Sequence, residues 1–255
     1  MHCVFRRSPV RWIAAFAIRR GWGLTLSPLL DPSLKSLAFL SYRIPIDHKG
    51  LLDRHLETLL RFKTRLKSLD IQAKSLTLSA GWIERFEGLD TLGLGCKLNR
   101  GIDLTKLPNL NTLVCHEPTL FLLGSLPKAR QIKILSCVGY HGDLRFLLPD
   151  SLVSLRLIRG LHPQGLHLER LTALRRLSIE SVKSINFSDI FGVDLIEELE
   201  LSNFTELQNL EENLNRWPSL RAIRLEGSAE PWEQGPAVRR AVPEGIRVFR
   251  NGFEL

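Results

Sequence analysis

Residues 174–187 read LRRLSIESVKSINF, and residues 66–78 read LKSLDIQAKSLTL. Both open Leu-x-x-Leu-x-Ile. Both then reach a second apolar-x-apolar pair, Ile185 and Phe187 in one and Leu76 and Leu78 in the other. Similar hexads begin at 34 (LKSLAF), 89 (LDTLGL), 110 (LNTLVC), 129 (ARQIKI), 152 (LVSLRL), 196 (IEELEL) and 220 (LRAIRL), with a degenerate one at 243 (PEGIRV). From 66 onward, successive starts lie 19 to 24 residues apart. Self-similarity held at one period marks a repeat architecture, so one structural unit is copied along the chain.

Within each hexad apolar and polar residues alternate, the period of a strand with one buried face. Leu155, Leu157, Leu177, Ile179, Leu199, Leu201, Ile223 and Leu225 are therefore predicted to point inward. One unit cannot cover its own apolar face, so neighbouring units must stack and complete it. The second half of the unit recurs as SLTL (75–78), GIDL (101–104), GLHL (165–168) and SINF (184–187). Pro108, Pro127, Pro149 and Pro218 sit shortly before a hexad, where a residue that cannot extend a helix suits a turn. Helical spacing of apolar residues predicts helix within 51–65, 206–215 and 231–243.

This pattern resembles the leucine-rich-repeat superfamily over roughly residues 34–250. The resemblance implies an α/β solenoid with a curved parallel sheet on its concave face. Short helices or turns would line the convex face, in about nine to ten coils. Residues 228–255 would act as a C-terminal cap. The position three after the last apolar residue of the hexad usually carries Asn or Cys, bonded to backbone of adjacent coils. Here it is Cys137 once and elsewhere Lys97, Pro118, Gly160, Val182 or Phe204. The asparagine ladder is missing, and irregular coils are expected.

The 255 residues are 44% hydrophobic, enough for a sizeable core. No run of about 18 apolar residues predicts a membrane-spanning helix. The net charge is +8, but five arginines (Arg6, Arg7, Arg11, Arg19, Arg20) precede the first acid, Asp31. The remaining chain is only mildly basic, which argues against a nucleic-acid partner. Residues 1–33 read as a basic, partly disordered leader or cap. The apolar centre WIAAFAI is short for a secretory signal and is closed by Arg19 and Arg20. A membrane-surface or organelle anchor within residues 1–23 is the alternative reading. The four cysteines form no CxxC pair, which suits a reducing, cytoplasmic setting. Cys96, Cys115 and Cys137 are expected as small buried hydrophobes.

The sequence offers little chemistry. His162 and His167 are separated by five positions with Pro163 between, and no Cys or carboxylate completes a metal set. His116 beside Glu117 reads as a solvated pair rather than a catalytic dyad. Gly93 and Gly95 do not have phosphate-loop spacing, and reading them as a shallow dent in the sheet fits better. No catalytic residue, cofactor or metal is expected, and the chain reads as a non-enzyme. The outward hexad positions carry the information instead. A partner-binding face is predicted from Lys133, Leu135, Arg156, Ile158, Arg176, Ser178, Glu180, Glu198, Glu200, Arg224 and Glu226. Leu135 and Ile158 would serve as apolar anchors among charges. The expected function is recognition of another protein by a monomeric module. Alternatives are a substrate-recognition adaptor, although no F-box-like helical segment is evident in residues 1–33, and a bacterial effector or toxin-neutralising protein. The bland reading of the same charges is cross-strand pairing that keeps a sheet soluble.

Overall fold

The computed structural model describes residues 40–43, 56–57, 59–72, 77–116, 124–139, 143–144, 147–161, 165–227, 238–240 and 242–255. The leader 1–33, its anchor segment 1–23, most of 228–241 and Pro118 lie outside those residues. The described chain is mostly strand, with only short helical turns. It divides into two compact units, residues 1–114 and 115–255.

The first unit contains β1 (Leu40–Arg43), β2 (Ser68–Gln72), β3 (Thr77–Leu78), β4 (Thr91–Leu94) and β5 (Lys97–Leu98). β1, β2 and β4 adjoin in parallel, and β3 pairs with β5 in a second short parallel layer. β6 (Thr112–His116) lies at the boundary of the two units. The second unit contains β7 (Ile134–Val138), β8 (Ser154–Ile158), β9 (Leu166–His167), β10 (Arg176–Glu180), β11 (Ser184–Asn186) and β12 (Ile190–Phe191). It continues with β13 (Glu198–Ser202), β14 (Glu206–Gln208), β15 (Ala222–Glu226), β16 (Arg247–Arg250) and β17 (Phe253–Glu254). Its main sheet runs β7-β8-β10-β13-β15-β16, all parallel, and β17 turns back antiparallel on the last edge.

Register explains why the sheet is parallel and why it is buried on one side. Leu135, Leu155, Leu177, Leu199, Ile223 and Val248 lie directly opposite one another from strand to strand, as do Cys137, Leu157, Ile179, Leu201 and Leu225. None of the eleven is more than 3% exposed. The eight residues predicted to point inward all do so. Behind them Leu126, Leu168, Ile190 and Leu214 are buried as well, and Ile83 and Leu104 are buried in the first unit. Each stands six positions before the first residue of a hexad. Short 3-10 turns at Leu104–Lys106, Leu126–Lys128 and Leu214–Arg216 present three of them inward.

Three hexads sit in a register other than the expected one. β7 places Ile134 opposite Ser154 and Leu135 opposite Leu155, so its hexad begins at Ile132 and reads IKILSC. The shift is three residues. Because side chains alternate with period two, an odd shift exchanges the faces. Leu135 is fully buried and is not an outward anchor; Ile134, at 40% exposure, points out. Cys137 becomes the last inward residue of its hexad rather than a substitute for the missing asparagine. β1 is shifted likewise, with Leu40 opposite Leu69. In β16, Val248 lies opposite Ile223, two residues from the expected match. That even shift keeps Arg247 and Phe249 outward and brings Arg250 to a buried position.

Helix is scarcer than the spacing predicted. Residues 56–57 and 59 are helical and are followed by a 3-10 turn at Leu60–Phe62. Residues 206–208 form β14, and helix is confined to Leu210–Asn213 with a 3-10 continuation. Residues 238–240 are helical, and the rest of the predicted segment lies outside the described residues apart from 242 and 243.

The chain leaves each main strand of the second unit through a left-handed residue. Gly139, Arg159, Ser181, Asn203 and Gly227 occupy the same position after β7, β8, β10, β13 and β15, with φ between 52° and 118°. The first four donate their N–H to a carbonyl of the following coil's strand, at 2.7 to 3.2 Å. Glycine adopts this conformation without steric cost, whereas Arg159 and Ser181 do so at a cost of about 1 kcal/mol each.

The first unit is stapled by one buried carboxylate. Glu84 is 6% exposed in its side chain and accepts from Arg100 Nη1 (2.7 Å) and Nη2 (2.9 Å), Lys106 Nζ (3.1 Å) and the Asp103 N–H (3.0 Å). The Arg100 hydrogen bonds, opposed by burial and aided by Asp103 N–H and Lys106, hold its pKa down at about 2. A depressed carboxylate pKa stabilises the fold above the unfolded value, and that contribution is lost as pH falls through about 4.5 to 2. Glu84→Gln should therefore destabilise the protein by about 1.5–3 kcal/mol at pH 7 and flatten its loss of stability in that acid window, read by urea unfolding against pH. The register of β7 has its own test. Leu135→Ala should cost about 2–5 kcal/mol, and Ile134→Ala less than about 0.5 kcal/mol; the reverse order in thermal melts would restore the other register.

Candidate functional site

The outward face of the second unit's sheet is a grid of three rows, set by the same registers that bury the leucines. One row runs Ile134, Ser154, Arg176, Glu198, Ala222, Arg247. The central row runs Ser136, Arg156, Ser178, Glu200, Arg224, Phe249, and the third runs Val138, Ile158, Glu180, Ser202, Glu226. Of the predicted partner-binding residues, Arg156, Ile158, Arg176, Ser178, Glu180, Glu198, Glu200, Arg224 and Glu226 come together here. Lys133 stands just before β7, exposed, with Nζ donating to the Arg130 carbonyl at 3.3 Å. Leu135 is in the core.

The charges of the grid sort into two groups. On β8, β10 and β13 two pairs neutralise one another, and Glu200 belongs to neither. Arg156 donates from Nε (3.1 Å) and Nη2 to Glu180 Oε2, diagonally across the strands. Arg176 lies opposite Glu198 at 3.2 Å, and Arg175 reaches Glu197 at 3.5 Å. Such exposed pairs contribute a few tenths of a kcal/mol each, so they shape the surface more than they stabilise it. On β15 and β16 the pattern changes. Arg224 and Arg247 both stack on the Phe249 ring, 4.7 and 5.4 Å from its centroid. The sequence reading missed this cluster because the two-residue shift of β16 alone brings Phe249 opposite Arg224.

Small residues set notches between the long ones. Ser136, Ser178, Ser202 and Ala222 are all buried although they face outward. Ser178 lies at the centre, between the Arg156–Glu180 and Arg176–Glu198 pairs, and its shielded Oγ makes no hydrogen bond among the described residues.

Elsewhere the predicted candidates are structural. Asp70 lies over Gly93, so that a Cβ there would come within 2.5 Å of its carboxylate oxygen; the expected dent is filled. His167 stacks on Phe191, with centroids 4.6 Å apart, and its Nδ1 is 3.1 Å from Glu169. His162 and Glu117 lie outside the described residues. Among the described residues no three metal-ligating side chains gather, and no helix is long and apolar enough to cross a membrane. Cys115 and Cys137 are buried and Cys96 half-buried. Burial pushes the Cys96 and Cys137 thiols up to about 12, and Cys115 well above its usual range, so all three remain protonated hydrophobes.

No family model and no curated protein matches the sequence. Among solved structures the chain is similar in fold to Toll, a leucine-rich-repeat protein, in the structure of the Toll–Spatzle complex of Drosophila. The likeness has a TM-score of 0.50 at 17% sequence identity. It covers 76% of this chain and 27% of that one, so the chain spans about a quarter of Toll's length. The likeness is one of fold.

An unmatched, shielded hydroxyl costs desolvation without a compensating bond. Ser178→Ala should therefore leave the melting temperature unchanged or raise it; a loss of more than about 1 kcal/mol would mean that Oγ has a structural partner.

Proposed function

We propose that the chain is an irregular leucine-rich-repeat protein that recognises another protein with the outward face of its parallel sheet. It does no chemistry of its own. One observation carries this reading: the strand register sets arginines, carboxylates, aliphatic and small residues side by side in one outward grid centred on Ser178. The surface around it has the make-up of an interface core and rim, with Arg and Phe at one end, aliphatic Ile134, Val138 and Ile158 at the other, and small residues between. The neighbour in fold, Toll, is seen in complex with Spatzle; extended sheet surfaces of stacked repeats serve such contacts in general, and the parallel is an analogy of fold.

The balance of signs favours a protein over a nucleic acid. β8, β10, β13, β15 and β16 present Arg156, Arg176, Arg224 and Arg247 outward against Glu180, Glu198, Glu200 and Glu226. A phosphate backbone would meet as many carboxylates as guanidiniums.

A charge swap tests this without disturbing the fold. The quadruple variant Arg156→Glu, Glu180→Arg, Arg176→Glu and Glu198→Arg keeps both ion pairs and the net charge but inverts what a partner meets. It should melt within about 3 °C of the parent, since exposed pairs are worth little. In quantitative affinity capture from the native lysate, recovery of the parent's partner should fall at least about tenfold. Undiminished capture would place the docking surface elsewhere.

A further inference from the structure

Resting on the reading of this face as a docking surface, we propose that the Arg224–Phe249–Arg247 stack is its carboxylate-binding anchor. It would take an acidic side chain of the partner protein. Arg247 and Phe249 are two apart on β16 and share its outward side, and Arg224 on β15 lies directly opposite Phe249. Both guanidiniums rest on the one ring, at 4.7 and 5.4 Å. A guanidinium held over a ring keeps N–H donors that suit bidentate capture of a carboxylate.

What separates these arginines from Arg156 and Arg176 is the contact they make, with a ring rather than with a carboxylate. Arg156 and Arg176 are each bonded to a glutamate of the sheet. Neither Arg224 nor Arg247 forms an ion pair among the described residues. Glu200 lies opposite Arg224 and Glu254 opposite Phe249, yet neither is in ion-pair contact with a guanidinium. One ring thus holds two positive charges, which a carboxylate of a partner would offset. The same flanking glutamates, with Glu226, repel a run of phosphates more strongly than a single carboxylate. An acidic side chain displayed on a protein surface is therefore the better match. Arg is enriched at interface hot spots, and Phe249 gives this pair a rigid, partly apolar seat.

The test uses the full chain and a defined probe, a capped glycine–serine peptide carrying two adjacent glutamates, titrated at low ionic strength. Binding is read from the Nε–Hε resonances of the arginine side chains. Saturable shifts confined to Arg224 and Arg247 are expected. The Arg224→Gln/Arg247→Gln variant should bind at least about tenfold more weakly. The charge-matched Lys128→Gln/Arg130→Gln variant, at exposed positions outside this face, should bind within about twofold of the parent. Phe249→Leu, which keeps both charges and removes the ring, should weaken binding by several fold. The proposal is overturned if no saturable shift is seen up to about 20 mM peptide. It is equally overturned if the Arg224→Gln/Arg247→Gln variant binds as well as the parent, or if a short oligothymidylate displaces the peptide from these arginines. Because this readout involves no natural partner, its failure leaves the charge-swap result standing, and the converse also holds.

Discussion

The fold depends on a pair of inward side chains in every main strand that nothing in their own coil can cover. Leu155 and Leu157 are shielded by Leu177 and Ile179, and those in turn by Leu199 and Leu201, each directly opposite its neighbour. Burying a leucine in this way is worth about 2 kcal/mol relative to exposure, and a coil standing alone would forgo nearly all of it. Stacking in register is therefore the only arrangement in which these hexads are stable. The parallel sheet follows, because each coil brings the chain back to the same side before the next strand begins.

The same constraint builds the outward face. Once the leucines are aligned, the residues between them are aligned too, with no further choice. Arg176 meets Glu198, Ser178 meets Glu200 and Arg224 meets Phe249 because Leu177, Leu199, Ile223 and Val248 meet behind them. Positions free of packing duty can then vary in chemistry without cost to the coil. Irregular features are tolerated where the coil turns. Arg159 and Ser181 hold the left-handed conformation that Gly139 and Gly227 adopt without strain, and their N–H groups bond to the next strand there. In the first unit, Glu84 plays the corresponding role through charge, gathering Arg100, Lys106 and the Asp103 N–H around one carboxylate.

The hexads at 66, 89, 152, 174, 196 and 220 were legible because each carries Leu or Ile at the first, fourth and sixth positions. At 129 two readings compete. ARQIKI and IKILSC both place apolar residues at the first, fourth and sixth positions, and only burial against β8 decides. The step of six to a preceding leucine does not break the tie, since Leu126 precedes Ile132 and Leu123 precedes Ala129. At the C-terminal end Arg250 occupies an inward position that polarity argues against. The Arg–Phe stack was hidden behind that shift. The orphaned Ser178 hydroxyl was illegible for another reason: whether a polar atom finds a partner is decided by the side chains of neighbouring coils, not by its own hexad.

Register is thus the claim on which the packing, the grid and the site all stand. Cysteine cross-linking reads it directly. With Ser178→Cys and Glu200→Cys placed opposite each other on one face, mild oxidation should form a disulfide within the chain, since directly opposed strand positions fall in the permitted Cα range. Ser178→Cys combined with Leu201→Cys puts the two thiols on opposite faces and should not link. Efficient linking of the second pair, or none of the first, would contradict the account.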